Sequence, residues 1–135
     1  MKHLLPFFAG FVTFMVISSA FYMGFMPYPT SSCIVPEDQM NIPAMMLGNV
    51  LMVGLAAYMI ASTGNFSAAS GAKHGAIAAL AANGTLSVFT YGFYTCDGAH
   101  IFELNEVVMD IVANMVFLGI AGAVIGILYQ RAAKS

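Results

Sequence analysis

Residues 102–129 have the sequence FELNEVVMDIVANMVFLGIAGAVIGILY, and this stretch decides the fold of the chain. Beyond Glu106, Asp110 is its only charged residue, and a basic tail with Arg131 and Lys134 comes soon after its end. About 20 apolar residues are enough to cross the hydrocarbon core of a bilayer. The stretch therefore predicts a transmembrane helix over residues 102–129 that carries one acid within its apolar length.

The rest of the chain has three more apolar segments, which we predict as helices over about residues 3–25, 43–62 and 73–94. Of the 135 residues, 60% are hydrophobic and only 7% are charged, whereas soluble domains carry about 25% charged residues. Pro27 and Pro29 end the first segment, and Asn41 and Pro43 start the second as N-cap and first-turn residues. The sequence predicts one all-α domain over residues 1–135, an integral membrane up-down bundle of four transmembrane helices. Its solvent is the lipid bilayer, and without a basic cluster it is not expected to bind nucleic acid.

The charged residues are sorted between the connections of this bundle. Basic residues lie before the first segment, between the second and third, and after the fourth, whereas acidic residues lie in, or just inside, the other two connections. Because cytoplasmic loops are enriched in lysine and arginine, we predict that both termini and the second connection face the cytoplasm, most simply at a bacterial inner membrane. The basic set is Lys2, Lys73, Arg131 and Lys134, and the acidic set is Glu37, Asp38, Asp97, Glu103, Glu106 and Asp110.

Residues 49–60 and 114–125 share a pattern in which an Asn is followed by Gly five positions later and by Ala two positions after that. The pattern indicates a parallel repeat of two hairpins, related by an axis along the membrane normal. Chance matching between apolar segments of low complexity is the alternative explanation.

An acidic stripe leads into the last predicted helix. Glu103, Glu106, Asp110 and Asn114 follow i, i+3, i+7, i+11 spacing, which places them on one helical face. A carboxyl group inside the membrane costs about 2.5–3.5 kcal/mol on insertion scales and indicates a functional site by default. We therefore interpret the stripe as part of a polar cavity that holds a proton or a cation. The candidate residues of this cavity are Asp110, Glu106, Glu103, Asn114, Asn49, Asn83, Tyr91 and Tyr94.

A structural interpretation of the same residues stays open. Acids in the first turn of a helix stabilise the positive end of its dipole, which would explain the two glutamates of the stripe. Asp110 would then lock a helix interface by hydrogen bonding to Thr90, Tyr91 or Asn83. The three asparagines near mid-depth would join helices in the same way.

The two cysteines, Cys33 and Cys96, fall in the two connections predicted to lie outside the cytoplasm. Disulfides form and persist on the oxidising side of a bacterial inner membrane. We therefore predict a disulfide between them that ties the two hairpins together. Redox catalysis is not indicated, because the chain has no Cys-x-x-Cys pair.

Small residues recur at four-residue spacing on the third and fourth predicted helices. Such faces let helix backbones approach closely in membranes. They predict tight packing within the bundle, and their extent favours a homo-oligomer or a place in a larger membrane complex. The helix-packing residues are Gly71, Gly75, Gly119, Gly122 and Gly126.

Eleven methionines give the chain a soft, sulfur-rich character. With His100 and the two cysteines they are compatible with a Cu(I) site, although flexible packing in membrane helices explains them as well. We assign no metal site and no cofactor.

Residues 90–94 have the sequence Thr-Tyr-Gly-Phe-Tyr, followed by a short connection, Asp110 and a glycine-rich helix end. Over about residues 75–129 this pattern resembles a family of small bacterial membrane proteins with four predicted helices and unknown function. The resemblance implies a four-helix membrane fold and draws attention to Asp110, but it implies no activity. The chain differs from that family at Cys96 and Asp97, where the relatives have an Asp-Leu-Thr-Asn-like run.

Three functions follow from these observations. The first is a non-enzymatic integral membrane subunit of a homo-oligomer or a larger complex. The second is a small homo-oligomeric transporter or channel for a cation or proton that uses Asp110. The third is a copper-handling membrane protein.

Overall fold

The computed structural model describes residues 4–26 and 32–134, and these residues are almost entirely helical. Lys2 and the predicted helix start at His3 lie outside the described residues. The described part of the chain contains four helices long and apolar enough to cross a membrane, which confirms the predicted number and the all-helical class. The elements are α1 (Leu4–Phe25), α2 (Ile42–Thr63), α3 (Ala68–Ala79), a π-helical turn (Leu80–Gly84), α4 (Thr85–Phe93), β1 (Thr95–Cys96), β2 (Ala99–His100) and α5 (Leu104–Lys134), with a short 3-10 turn at Glu37–Gln39.

Two helix boundaries differ by more than two residues from the sequence prediction. The third helix was predicted to begin at Lys73, but α3 begins at Ala68, because the Ser67 side chain caps it by accepting a hydrogen bond from the Ser70 backbone N–H at 3.1 Å. The last helix was predicted to end at Tyr129, but α5 continues to Lys134. Basic side chains in its last turn stabilise the negative end of the helix dipole.

The closest packing in the molecule joins α3 to α5. An added Cβ at Gly71 would lie 2.1 Å from the Gly122 carbonyl oxygen, and one at Gly75 would lie 2.1 Å from the Leu118 carbonyl oxygen. An added Cβ at Gly126 would lie 2.3 Å from the Ser67 carbonyl oxygen. Only glycine permits such contact between two backbones.

The five predicted packing glycines are therefore used inside the chain. Gly119, the fifth, is buried as well, with ordinary contact distances to α3. Because this face is covered within one bundle, its glycines are no longer evidence for an oligomer.

Helix α5 is the centre of the bundle. Half of its most apolar window is buried, compared with less than a third in each of the other three spans. Leu118 and Ile125 of α5 are completely buried against a core that includes Phe14 of α1, and Val53 and Ile60 of α2. Helices α1 and α2 contact each other much less than α3 and α5 do, so the two hairpins pack differently. The parallel hairpin repeat stays a prediction.

The two connections at one end of the bundle are joined covalently. Strands β1 and β2 form an antiparallel hairpin. Its turn residues, Asp97 and Gly98, have positive φ angles of 53° and 85°, as a type I′ turn requires. This hairpin holds Cys96 in a disulfide with Cys33, with 5.9 Å between their Cα atoms. The predicted disulfide is thus present, and we call this end of the bundle, with residues 32–41 and 94–103, the cysteine end.

Packing becomes looser toward the cysteine end. Every residue from Asn41 to Gly48 is exposed, and α4 contains no buried residue. The bundle is therefore tight where α3 meets α5 and open where α2 begins and α4 ends.

We expect Gly75→Ala to lower the free energy of unfolding by about 1–3 kcal/mol, because the new methyl group would force α3 away from the Leu118 carbonyl. Thermal unfolding in detergent micelles measures the change. Gly48→Ala is the matched control, since nothing lies within 4 Å of a Cβ added there. Equal unfolding midpoints for the two variants would contradict the packing described here.

Candidate functional site

Asp110 brings three helical segments together near the cysteine end. It lies six residues after the start of α5, which corresponds to about 9 Å along the helix axis. Its side chain contacts Tyr22 near the end of α1 and polar side chains of the segment 80–93. The carboxylate is half-buried.

Each carboxylate oxygen of Asp110 has two side-chain donors within hydrogen-bonding distance. Oδ1 accepts from Tyr22 Oη at 2.5 Å and from Asn114 Nδ2 at 3.2 Å. Oδ2 accepts from Asn83 Nδ2 at 2.8 Å and from Ser87 Oγ at 3.1 Å. Asn114 Nδ2 also donates to Tyr22 Oη at 2.8 Å and to the Asp110 backbone carbonyl at 2.9 Å, so its two hydrogens are shared among three acceptors. The tyrosine hydroxyl both donates and accepts. We call these five side chains the Asp110 cluster.

The π-helical turn orients two members of the cluster. Gly75, which contacts α5, precedes Asn83 by eight residues, and eight residues of a regular α-helix would rotate Asn83 by about 80° away from that face. The turn at Leu80–Gly84 accommodates one extra residue, which reduces the rotation to about 20°. Asn83 and Ser87, one turn apart, therefore face α5 on the same side as the glycines.

The chemistry of the cluster suits an ionised carboxylate. All four groups around Asp110 are neutral donors, and an ionised carboxylate offers about four acceptor positions and no donor. Hydrogen bonds to a charged group contribute about 1.5–3 kcal/mol each. The cluster thus surrounds the carboxylate of a helical span with donors from three helical segments.

The two glutamates of the predicted acidic stripe are not part of this cluster. Glu106 Oε2 accepts a hydrogen bond from the Glu103 backbone N–H at 2.9 Å, as in one half of a capping box. Glu103 is exposed. The hydrogen bond of Glu106 fits the structural interpretation of that residue, and the role of Glu103 stays a prediction.

Other predicted cavity residues also lie elsewhere. Tyr91 stacks on His100 with 4.1 Å between ring centroids, and Tyr94 is 61% exposed. Asn49 Nδ2 donates to Met15 Sδ at 3.5 Å, between α2 and α1. Of the predicted partners of Asp110, Asn83 is confirmed, whereas Tyr91 and Thr90 are not bonded to it. The Thr90 hydroxyl donates to a carbonyl of its own helix.

Two members of the cluster were missed by the sequence reasoning. Tyr22 lies 88 positions from Asp110, and no local pattern connects them. Ser87 follows Asn83 by four residues, a spacing that places both on one helical face. That spacing alone could have predicted Ser87 as a member of the cluster, and only if Asn83 was already known to face α5.

Within residues 4–26 and 32–134, no three His, Cys, Asp or Glu side chains come together as a metal site would need. Both cysteines are in the disulfide and are not thiolate ligands in this state. The copper hypothesis, which rests mainly on methionine, stays a prediction.

No protein-family model, no curated protein and no solved structure matches the chain. The resemblance of residues 75–129 to small four-helix membrane proteins stays a prediction.

We expect Tyr22→Phe to lower the free energy of unfolding by about 1.5–3 kcal/mol, because it removes a hydrogen bond to a charged carboxylate. Tyr58→Phe is the matched control, since Tyr58 is 71% exposed. A double-mutant cycle with Asp110→Asn should give a coupling of about 0.5–3 kcal/mol, as for residues in contact. Additive effects in that cycle would mean that the two side chains do not interact.

Proposed function

We propose that the chain is a non-enzymatic integral membrane protein that serves as a subunit or accessory component of a homo-oligomer or a larger membrane complex. The observation that carries this proposal is that both carboxylate oxygens of Asp110 are hydrogen-bonded by side chains of its own chain. A carboxylate held on both oxygens by three helical segments acts as a clamp between helices, and a cation would have to displace these donors in order to bind.

Two surfaces support a role in assembly. The cysteine end carries exposed acidic residues on its connections, which suit a partner with basic side chains. The first half of α2 and the whole of α4 lack buried residues, so they are free for contacts between chains in the membrane. The exposed acids of the cysteine end are Glu37, Asp38, Asp97 and Glu103.

We further propose that the protein lies in a bacterial inner membrane with both termini in the cytoplasm. The distribution of lysine and arginine supports this orientation. The disulfide supports it too, because the connections with Cys33 and Cys96 would then share the oxidising side.

Native mass spectrometry of the gently extracted protein tests the assembly proposal. We expect a discrete species heavier than one 14.3 kDa chain, containing either several copies or a defined partner protein. A purely monomeric protein, extracted under conditions that preserve known membrane complexes of the same cells, would contradict the proposal.

Thiol labelling in intact spheroplasts tests the orientation. Neither cysteine should react with a membrane-impermeant maleimide until an impermeant reductant is added, and then both should react. The expected readout is a mass increase of two labels per chain. Labelling that requires lysis of the spheroplasts would reverse the proposed orientation.

A cation- or proton-coupled transporter is the second candidate, because Asp110 is a half-buried carboxylate within a span. Transport would need more than one copy, since one chain of four spans offers little room for a path. Asp110→Asn should then abolish proton-coupled uptake in proteoliposomes. Under the subunit proposal the same variant changes stability and assembly but no ion flux.

A further inference from the structure

Lys73 is a basic residue inside the third span. The sequence predicted it at the start of that helix, but α3 begins at Ala68, directly after its N-cap Ser67. Six residues separate the cap from Lys73, which corresponds to about 9 Å along the helix axis. A charged side chain within a span is costly and indicates a functional contact by default.

The glycine contacts between α3 and α5 give the height of Lys73 in the bundle. Gly71 and Gly75, two residues before and after it, lie against α5 carbonyls two residues to either side of Ile120. Lys73 is therefore level with Ile120. That residue lies at the middle of residues 111–128, which contain no charged side chain and are long enough to form most of a span. Lys73 is thus at the height of apolar parts of the neighbouring helix.

The side of α3 that carries Lys73 is not used by the chain. Two residues of an α-helix correspond to a rotation of about 200°, so Lys73 points away from α5, to which the glycines are turned. Its neighbours one turn before and after on the same face, Ala69 and Ile77, are exposed, and so are Leu80 and Lys73 itself. In a bilayer, lipid reaches this face directly.

No acid of the chain lies close enough to neutralise Lys73. Asp110 is the acid nearest to it in height, and it precedes Ile120 by ten residues of α5, which corresponds to about 15 Å. Its carboxylate also belongs to the Asp110 cluster. The five other acids lie nearer to the cysteine end than Asp110 or within it. An anion that faces Lys73 therefore has to come from outside the chain.

We propose that Lys73 binds the phosphate of an anionic phospholipid, such as phosphatidylglycerol, in the leaflet at the end of the bundle opposite the cysteine end. Side chains of a helix are tilted toward its N-terminus, which for α3 is that end. The long stem of a lysine can follow this direction and carry the ammonium toward the lipid head groups. Ala69, one turn closer to the surface, is small and leaves room for the stem.

The direction of the stem favours a lipid over a second protein. Phosphates already lie at the surface toward which Lys73 extends, whereas another helix would have to bring its own carboxylate to the same place. Anionic lipids attract lysines near the membrane surface. The inference goes beyond the proposed subunit role and needs only that the spans cross a bilayer.

Quenching of a single tryptophan by brominated lipids tests this site, because the chain contains no tryptophan. Ile77→Trp places the fluorophore one turn from Lys73 on the same face. The full-length chain is reconstituted in vesicles of phosphatidylcholine and phosphatidylglycerol, with either lipid brominated on its acyl chains. We expect phosphatidylglycerol to bind beside the probe about five times more tightly than phosphatidylcholine, which corresponds to about 1 kcal/mol for one lysine.

Two further substitutions in the Ile77→Trp chain assign the preference to the charge. Lys73→Gln should reduce the ratio of the two binding constants to about one, whereas Lys73→Arg should retain most of the preference, because both basic side chains carry the charge. Equal unfolding midpoints of the three proteins show that the fold is retained.

Val12→Trp is the matched probe on α1. Val12 is also exposed, and it lies at a similar height, two residues after Gly10, which contacts α5 near Ala121. We expect no preference between the two lipids there. The same preference at both probes, or a preference at the Ile77→Trp probe that survives Lys73→Gln, would overturn the site. Equal binding of both lipids beside Lys73 would overturn it as well and leave a carboxylate of another membrane protein as the remaining anion.

Discussion

The contact between the backbones of α3 and α5 is the constraint on which the rest of the structure depends. Gly71 and Gly75 lie against carbonyl groups of Gly122 and Leu118, at distances that admit no side chain. Association of helices in lipid relies on packing and hydrogen bonds, because burial of apolar surface gives little advantage there. The glycines supply the packing term and make α5 the central helix. The remaining spans then pack against an element that is already fixed.

The π-helical turn connects this packing to the polar cluster. Without the extra residue of that turn, a helix that presents its glycines to α5 would direct Asn83 well away from Asp110. The turn therefore lets one continuous span meet α5 twice, first through glycine backbones and then through hydrogen-bonding side chains. Turns of this kind are frequently found at functional sites. Here the turn positions two of the four donors to the carboxylate.

The sequence predicted those features that depend on local composition. Four spans, the disulfide and the packing glycines follow from apolar length, cysteine placement and small-residue spacing. The Asp110 cluster was predicted only in part. Tyr22 is far from Asp110 in the sequence, and no sequence pattern predicts the π-helical turn that orients Asn83 and Ser87. Helical spacing placed Glu106 on one face with Asp110, but spacing does not determine whether a glutamate caps its own helix. Glu106 accepts a hydrogen bond from the Glu103 backbone and is not in the Asp110 cluster.

The two ends of the bundle are held by different kinds of interaction. Where α3 and α5 touch through glycines, packing is short-ranged and needs no polar group. Toward the cysteine end the helices separate, and directional bonds replace close backbone packing. Tyr22 and Ser87 donate hydrogen bonds to Asp110, and Cys33 forms a disulfide with Cys96. These links hold α1 and α4 to α5, but α2 contributes no side chain to the Asp110 cluster. Residues 42–48 of α2 are all exposed, so the first half of this helix packs least against the rest of the described bundle.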